Sequence, residues 1–165
     1  MKLALACAAA TLLSASSTLR PIDSDTYLNI VSSHRDRVLL VNFWATWCGP
    51  CITEMPALVQ LARKYKPEGF AVMFVSADEP ETEAEAIQVL SKNRVPWPHY
   101  IKRAPDDDAF IRIVDRDWSG ELPALVLYDR KGKKLRFFSG ETPLKEVEAA
   151  VREALGVTDA PVRLR

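Results

Sequence analysis

Val41-Asn42-Phe43-Trp44-Ala45-Thr46-Trp47-Cys48-Gly49-Pro50-Cys51 decides how this chain is read. The apolar, partly β-branched run Val38 to Trp44 has the character of a strand covered on both faces. Directly after it, a CxxC pair opens a stretch in which Met55, Leu58, Val59 and Ala62 repeat with helical period to about Lys64. One thiol therefore falls at a helix N-terminus, where unpaired backbone N–H groups and the macrodipole favour a thiolate. Cys48, in the outer position, is the expected nucleophile; Cys51, one turn in, is the expected resolving thiol. Pro50 pre-sets the first turn and Gly49 keeps the approach to Cys48 open. The chemistry implied is thiol–disulfide exchange.

The remaining cysteine count supports this. There are three in 165 residues, and Cys7 lies in an apolar leader-like segment. Met1-Lys2, the run Leu3 to Leu13 and the small residues Ser14 to Ser17 read as an export signal over residues 1–17, cleaved near residues 16 to 20. Only Cys48 and Cys51 would then remain, and a bridge closing so short a loop staples little of the unfolded chain. A structural zinc site wants four ligands, and one pair with the isolated His34 and His99 does not supply them. We expect no metal and no cofactor beyond the redox-active cysteine pair itself. Twenty-two basic residues balance twenty-two acidic ones without a long block of either sign, so nothing in the sequence points to nucleic acid or an anionic membrane as partner. The apolar leader is too short to span a bilayer.

Outside the motif, Ser24 is placed to cap a helix reaching about His34. Phe70 to Val75, His99 to Ile101, Ala124 to Tyr128 and Leu135 to Phe138 read as strands, the last two joined by a turn over Asp129 to Lys133. Helices are expected over about 81–93, 106–115 and 143–155, and Pro56 is expected to kink the helix after the CxxC without ending it. The fold class is α/β, a central mixed sheet flanked by helices. The domain spans 18–155 and a polar tail 156–165.

The block Val41 to Cys51, continuing Ile52-Thr53-Glu54-Met55-Pro56, resembles the active-site segment of thioredoxin-like proteins, in particular the exported TlpA/ResA-type disulfide reductases. The resemblance in element order runs from about Thr26 to Leu155. It implies a thioredoxin fold with a helix–strand insertion over 79–118, between the βαβ half and the hairpin half. It also implies a cis peptide at Leu122-Pro123 facing the cysteines, where the Leu122 backbone would receive substrate as a strand-like partner; without it, a trans proline opening a strand would serve. Asn42 stands where cytosolic thioredoxins carry a buried aspartate. Glu54 matches the acidic residue of ResA-type proteins and shares a helix face with Cys51, so it either exchanges the resolving thiol's proton or sits solvated in the first turn. Trp44 is expected in the core and Trp47 over the disulfide as an apolar contact for substrate; Trp97 and Trp118 are expected to pack.

A Gly-Pro centre resembles thioredoxin, with a potential near about −270 mV, so the expected direction is reduction of protein disulfides by a periplasmic or otherwise exported monomer. Such an enzyme needs a donor, which the resemblance suggests is a membrane thiol carrier, with cytochrome c maturation or metal-site assembly among the processes served. A peroxidase of peroxiredoxin type acting at Cys48 and a non-enzymatic metal- or peptide-binding module are the alternatives. Ala45-Thr46-Trp47 lacks the proline-and-threonine setting usual in the former.

Overall fold

The computed structural model describes residues 18–96 and 98–157; the expected leader, Trp97 and residues 158–165 lie outside the described residues. The elements are β1 (Arg20–Ile22), α1 (Ser24–Ser33), β2 (Val38–Trp44), α2 (Gly49–Lys64), β3 (Phe70–Ser76), a 3-10 turn (Pro80–Thr82), α3 (Glu83–Lys92), β4 (Tyr100–Lys102), α4 (Asp107–Val114), β5 (Ala124–Tyr128), β6 (Lys134–Ser139) and α5 (Leu144–Leu155). One sheet of six strands holds them in the order β1-β4-β3-β2-β5-β6. β2 is central, parallel to β3 and antiparallel to β5.

Every residue of β2 is buried, Asn42 included, as its nearly continuous apolar run predicts. The strand period of two then divides its side chains between two cores. Val38, Leu40 and Trp44 pack with Met55, Leu58, Leu90 and Val151, beneath α2, α3 and α5. Leu39, Val41 and Phe43 pack with Tyr27, Phe110 and Val114, beneath α1 and α4. The result is a three-layer sandwich. By the same alternation Asn42 falls on the α2 side, between Leu40 and Trp44.

α2 continues through Pro56 to Lys64. Proline cannot donate to the Ile52 carbonyl, but the hydrogen-bonded run resumes, because Met55, Leu58 and Val59 keep one buried face on either side of the gap. The turn between β5 and β6 is closed by Asp129, whose carboxylate accepts from the backbone N–H groups of Lys131 and Lys133, while Gly132 takes φ +78°.

Two expectations need correcting. The cap of α1 is Asp23, whose carboxylate accepts from Thr26 N–H at 2.9 Å, and Ser24 is the first helical residue. β1 is an addition, since three residues centred on Pro21 carry no strand periodicity. It exists as an edge strand parallel to β4, a position that tolerates proline. The segment 79–118 contains α3 and β4, as an inserted helix and strand, together with the 3-10 turn and α4. Among the described residues no helix is long and apolar enough to cross a membrane.

Candidate active site

β2 delivers the chain to a short loop, Ala45 to Trp47, and Cys48 caps α2. Cys48 and Cys51 form a disulfide with Cα atoms 5.3 Å apart. The Cys51 backbone N–H donates to Cys48 Sγ at 3.3 Å, one of the unpaired amides of the first turn. After reduction that donor, with the positive end of α2, favours negative charge on Cys48. Cys51 is 0 % exposed and Cys48 5 %, so the outer position of Cys48 is more reachable but far less open than its place in the sequence suggests. The neighbouring Gly49 is exposed, and a β-carbon there would meet nothing within 4 Å. Trp47 stands 70 % exposed at the rim. It therefore presents its apolar ring to solvent and is not folded down as a cover. Trp44, 0 % exposed, is a core residue as expected.

The loop is held by a residue that no motif in the sequence marks. Asp78, just past β3 and 1 % exposed, accepts from Thr46 N–H with both oxygens at 3.0 and 3.1 Å, and from the Thr46 hydroxyl at 2.6 Å. The Ser76 hydroxyl donates to it at 2.7 Å, and the Ala77 N–H donates to the Trp44 carbonyl at 2.8 Å. A buried carboxylate is thus satisfied by the backbone that sets Trp47 and Cys48 in place.

Between β2 and α2, Asn42 Nδ2 donates to Glu54 Oε1 at 3.0 Å. Burial is the main reason the Glu54 carboxyl is raised to about 7; the Asn42 hydrogen bond opposes this and the charge of Glu141 adds to it. Of the two alternatives for Glu54, the solvated one is therefore excluded: Glu54 is half-buried and paired. Asn42 is 0 % exposed, and its Oδ1 has no partner among the described residues. A primary amide can serve either state of Glu54, donating to the carboxylate or accepting from the acid.

These shifts fix a pH dependence. Between the ordinary carboxyl value of 4.5 and about 7, the folded disulfide form holds a proton on Glu54 that the unfolded chain releases. Stability falls as pH rises through that window, by about 1–3 kcal/mol once solvent screening of a half-buried group is allowed for. Glu54→Gln, which keeps a partner for Asn42, is expected to unfold at higher denaturant than wild type at pH 8 and to match it at pH 4. An offset that does not change with pH contradicts the assignment.

Leu122-Pro123 is cis and leads into β5. The Pro123 carbonyl accepts from Gly140 N–H, and Trp118 Nε1 donates to the Glu121 carbonyl at 2.8 Å. Trp118 itself packs on Phe43 with ring centroids 5.0 Å apart. Leu122 packs against the core cluster that contains Cys48 and Cys51. His99 is buried, which lowers it to about 4 and keeps it neutral. Among the described residues no group of three or more His, Cys, Asp or Glu side chains is gathered as a metal site.

A sandwich of this topology with a CxxC disulfide at the mouth of the helix after its central strand defines a thioredoxin-fold dithiol protein. Residues 23–137 match the AhpC/TSA family, and the chain belongs to that family. It is 30 % identical over 115 residues to a thiol-disulfide oxidoreductase ResA of Bacillus cereus, covering 70 % of this chain and 62 % of that one. It is 27 % identical over 118 residues to ResA of Geobacillus kaustophilus, covering 72 % and 63 %. The chain thus spans a little under two thirds of the length of these curated relatives. Among solved structures it resembles a putative thiol:disulfide interchange protein DsbE from Chlorobium tepidum at 30 % identity and TM-score 0.61, covering 76 % and 85 %. A DsbF homologue from Corynebacterium diphtheriae, at 15 % identity and TM-score 0.63 over 74 % and 75 %, shares the fold.

Proposed function

We propose that this chain is an exported thiol:disulfide oxidoreductase working as a disulfide reductase. The observation that carries the reading is the asymmetry of the pair: one sulfur at the surface margin accepting a helix N-terminal amide, the other fully enclosed. In the reduced protein the Cys48 thiolate attacks a substrate disulfide, forms a mixed disulfide and releases one substrate thiolate. Cys51 then gives up its proton to Glu54 and attacks Cys48 Sγ. The Cys48–Cys51 disulfide forms, the second substrate thiol leaves, and two electrons have passed to the substrate. A carboxyl poised near 7 can take that proton and return it.

Trp47, Gly49, Pro50, Leu122 and Pro123 form the substrate contact, the open side of Gly49 admitting the chain and the Leu122 backbone pairing with it. Reset requires a dithiol donor, for which a membrane thiol carrier fits an oxidising compartment. The substrates are disulfides of exported proteins, with cytochrome c maturation and metal-site assembly as settings. The protein acts as a monomer with no cofactor beyond its cysteine pair, after cleavage of the leader. The names of the relatives, thiol-disulfide oxidoreductase and thiol:disulfide interchange protein, support this reading.

Insulin reduction with dithiothreitol as electron source tests it. Wild type is expected to accelerate precipitation of the reduced chains, and Cys48→Ser to leave the rate at that of dithiothreitol alone. Consumption of hydrogen peroxide in place of insulin turnover would instead establish a peroxidase.

A further inference from the structure

Asp78, which holds the active-site loop through its carboxylate, is itself held through its main chain. The Arg103 guanidinium, just past β4, donates from Nη1 to the Asp78 carbonyl at 2.7 Å and to the Lys102 carbonyl at 2.9 Å. From Nη2 it donates to Glu83 Oε2 at 3.1 Å, an ion pair with the first residue of α3. Arg103 has its own anchor, since its backbone N–H donates to the Ile22 carbonyl of β1 at 2.8 Å. One planar fork thus ties together the exit of β3, the start of α3 and the end of β4.

A carboxylate can orient a loop only if its own backbone stays still. Asp78 lies past the end of β3, where the sheet no longer fixes the main chain, and the Arg103 guanidinium takes its carbonyl there. On the other side of Asp78, the carboxylate accepts from the Thr46 N–H and hydroxyl, and Cys48 follows two residues later. The path from the guanidinium to the reacting sulfur is therefore continuous: Arg103 to Asp78, Asp78 to Thr46, Thr46 to Cys48. A role confined to stapling α3 needs the Glu83 pair alone. The shorter bond is aimed instead at the residue that holds the loop.

We propose that Arg103 is a further positioning residue of the cysteine pair: by fixing the Asp78 main chain it steadies the Thr46 loop and so keeps Cys48 Sγ against the Cys51 N–H. The proposal rests on Cys48 as the attacking thiol. The segment 79–118, which carries both Glu83 and Arg103, is then part of what makes Cys48 reactive, although it supplies no atom to the exchange. Lysine is an incomplete substitute, because it presents one nitrogen where the fork presents two.

Site-resolved alkylation of Cys48 in the reduced full chain, followed from about pH 5 to about pH 9, tests the assignment. Arg103→Met keeps an aliphatic stem and removes the fork. Its Cys48 is expected to titrate about half a pH unit or more above wild type, which lowers the thiolate fraction at about pH 6 by about threefold. Arg103→Lys is expected to recover part of that shift. Asp107→Asn breaks the Lys102–Asp107 ion pair of the same segment without touching the fork, and should alkylate as wild type does. If Arg103 acts through Asp78, the effects of Arg103→Met and Asp78→Asn do not add, and the double variant alkylates no more slowly than Asp78→Asn alone. Should Arg103→Met fail to fold, Arg103→Lys against Asp107→Asn makes the same comparison. A Cys48 profile unmoved by loss of the fork overturns the proposal, as do additive effects in the double variant or an equal shift in Asp107→Asn. Alkylation needs no protein substrate, so a wild type that fails to reduce insulin would count against the function proposed above and leave this comparison to be read on its own.

Discussion

With Cys51 replaced by alanine, the protein is expected to stop at the mixed disulfide. Cys48 keeps the backbone N–H of position 51 as its donor, since that bond comes from the main chain, so the attacking step survives. What is lost is the enclosed second sulfur. A group fixed beside its target can act at effective concentrations of about 10⁵ M or more, against millimolar thiol from solution, so release of substrate should slow by at least about 10³-fold. Incubated with an extract of exported proteins, reduced Cys51→Ala should accumulate adducts that dissolve on addition of dithiothreitol, while Cys48→Ser accumulates none. Those adducts identify the substrates. Equal turnover of wild type and Cys51→Ala on insulin would remove the resolving role.

Asp78→Ala is the substitution expected to damage the fold most while leaving the cysteines untouched. It strips partners from Thr46 N–H, the Thr46 hydroxyl and the Ser76 hydroxyl around a residue only 1 % exposed. Leaving such groups unsatisfied costs about 2–4 kcal/mol in total, visible as a lower denaturation midpoint. Asp78 touches the loop and not the reacting atoms, so it is a positioning residue. Its distinguishing signature is a slower alkylation of Cys48 under conditions where the variant is still folded, with partial recovery in Asp78→Asn. A loss of stability with Cys48 reactivity unchanged would make it a structural anchor only.

The parts of this architecture that depend on neighbours in sequence are legible in the sequence itself. The nearly all-apolar β2, the CxxC at the start of α2, the apolar face that survives Pro56 and the Asp-Gly turn of the hairpin each write a local physical rule into consecutive residues. Glu54 is findable because three residues from Cys51 is one helix turn. Its actual state is not, because that depends on Asn42 from β2 and Glu141 from the loop before α5. Asp78 lies 32 residues from Thr46 in sequence, and only the parallel pairing of β2 with β3 brings the ends of those strands together. A lone aspartate after a buried strand, beside Ser76, is the available signal. β1 is hidden for a similar reason: its three residues form a strand only because β4 offers an edge.

The most direct test is site-resolved alkylation of the reduced protein as a function of pH. Iodoacetamide with mass-spectrometric assignment should show Cys48 modified with an apparent pKa below the ~8.5 of a free thiol and nearer ~7, and Cys51 protected until the protein is unfolded. Two thiols inert at neutral pH in the folded protein, or Cys51 reacting ahead of Cys48, would contradict the account.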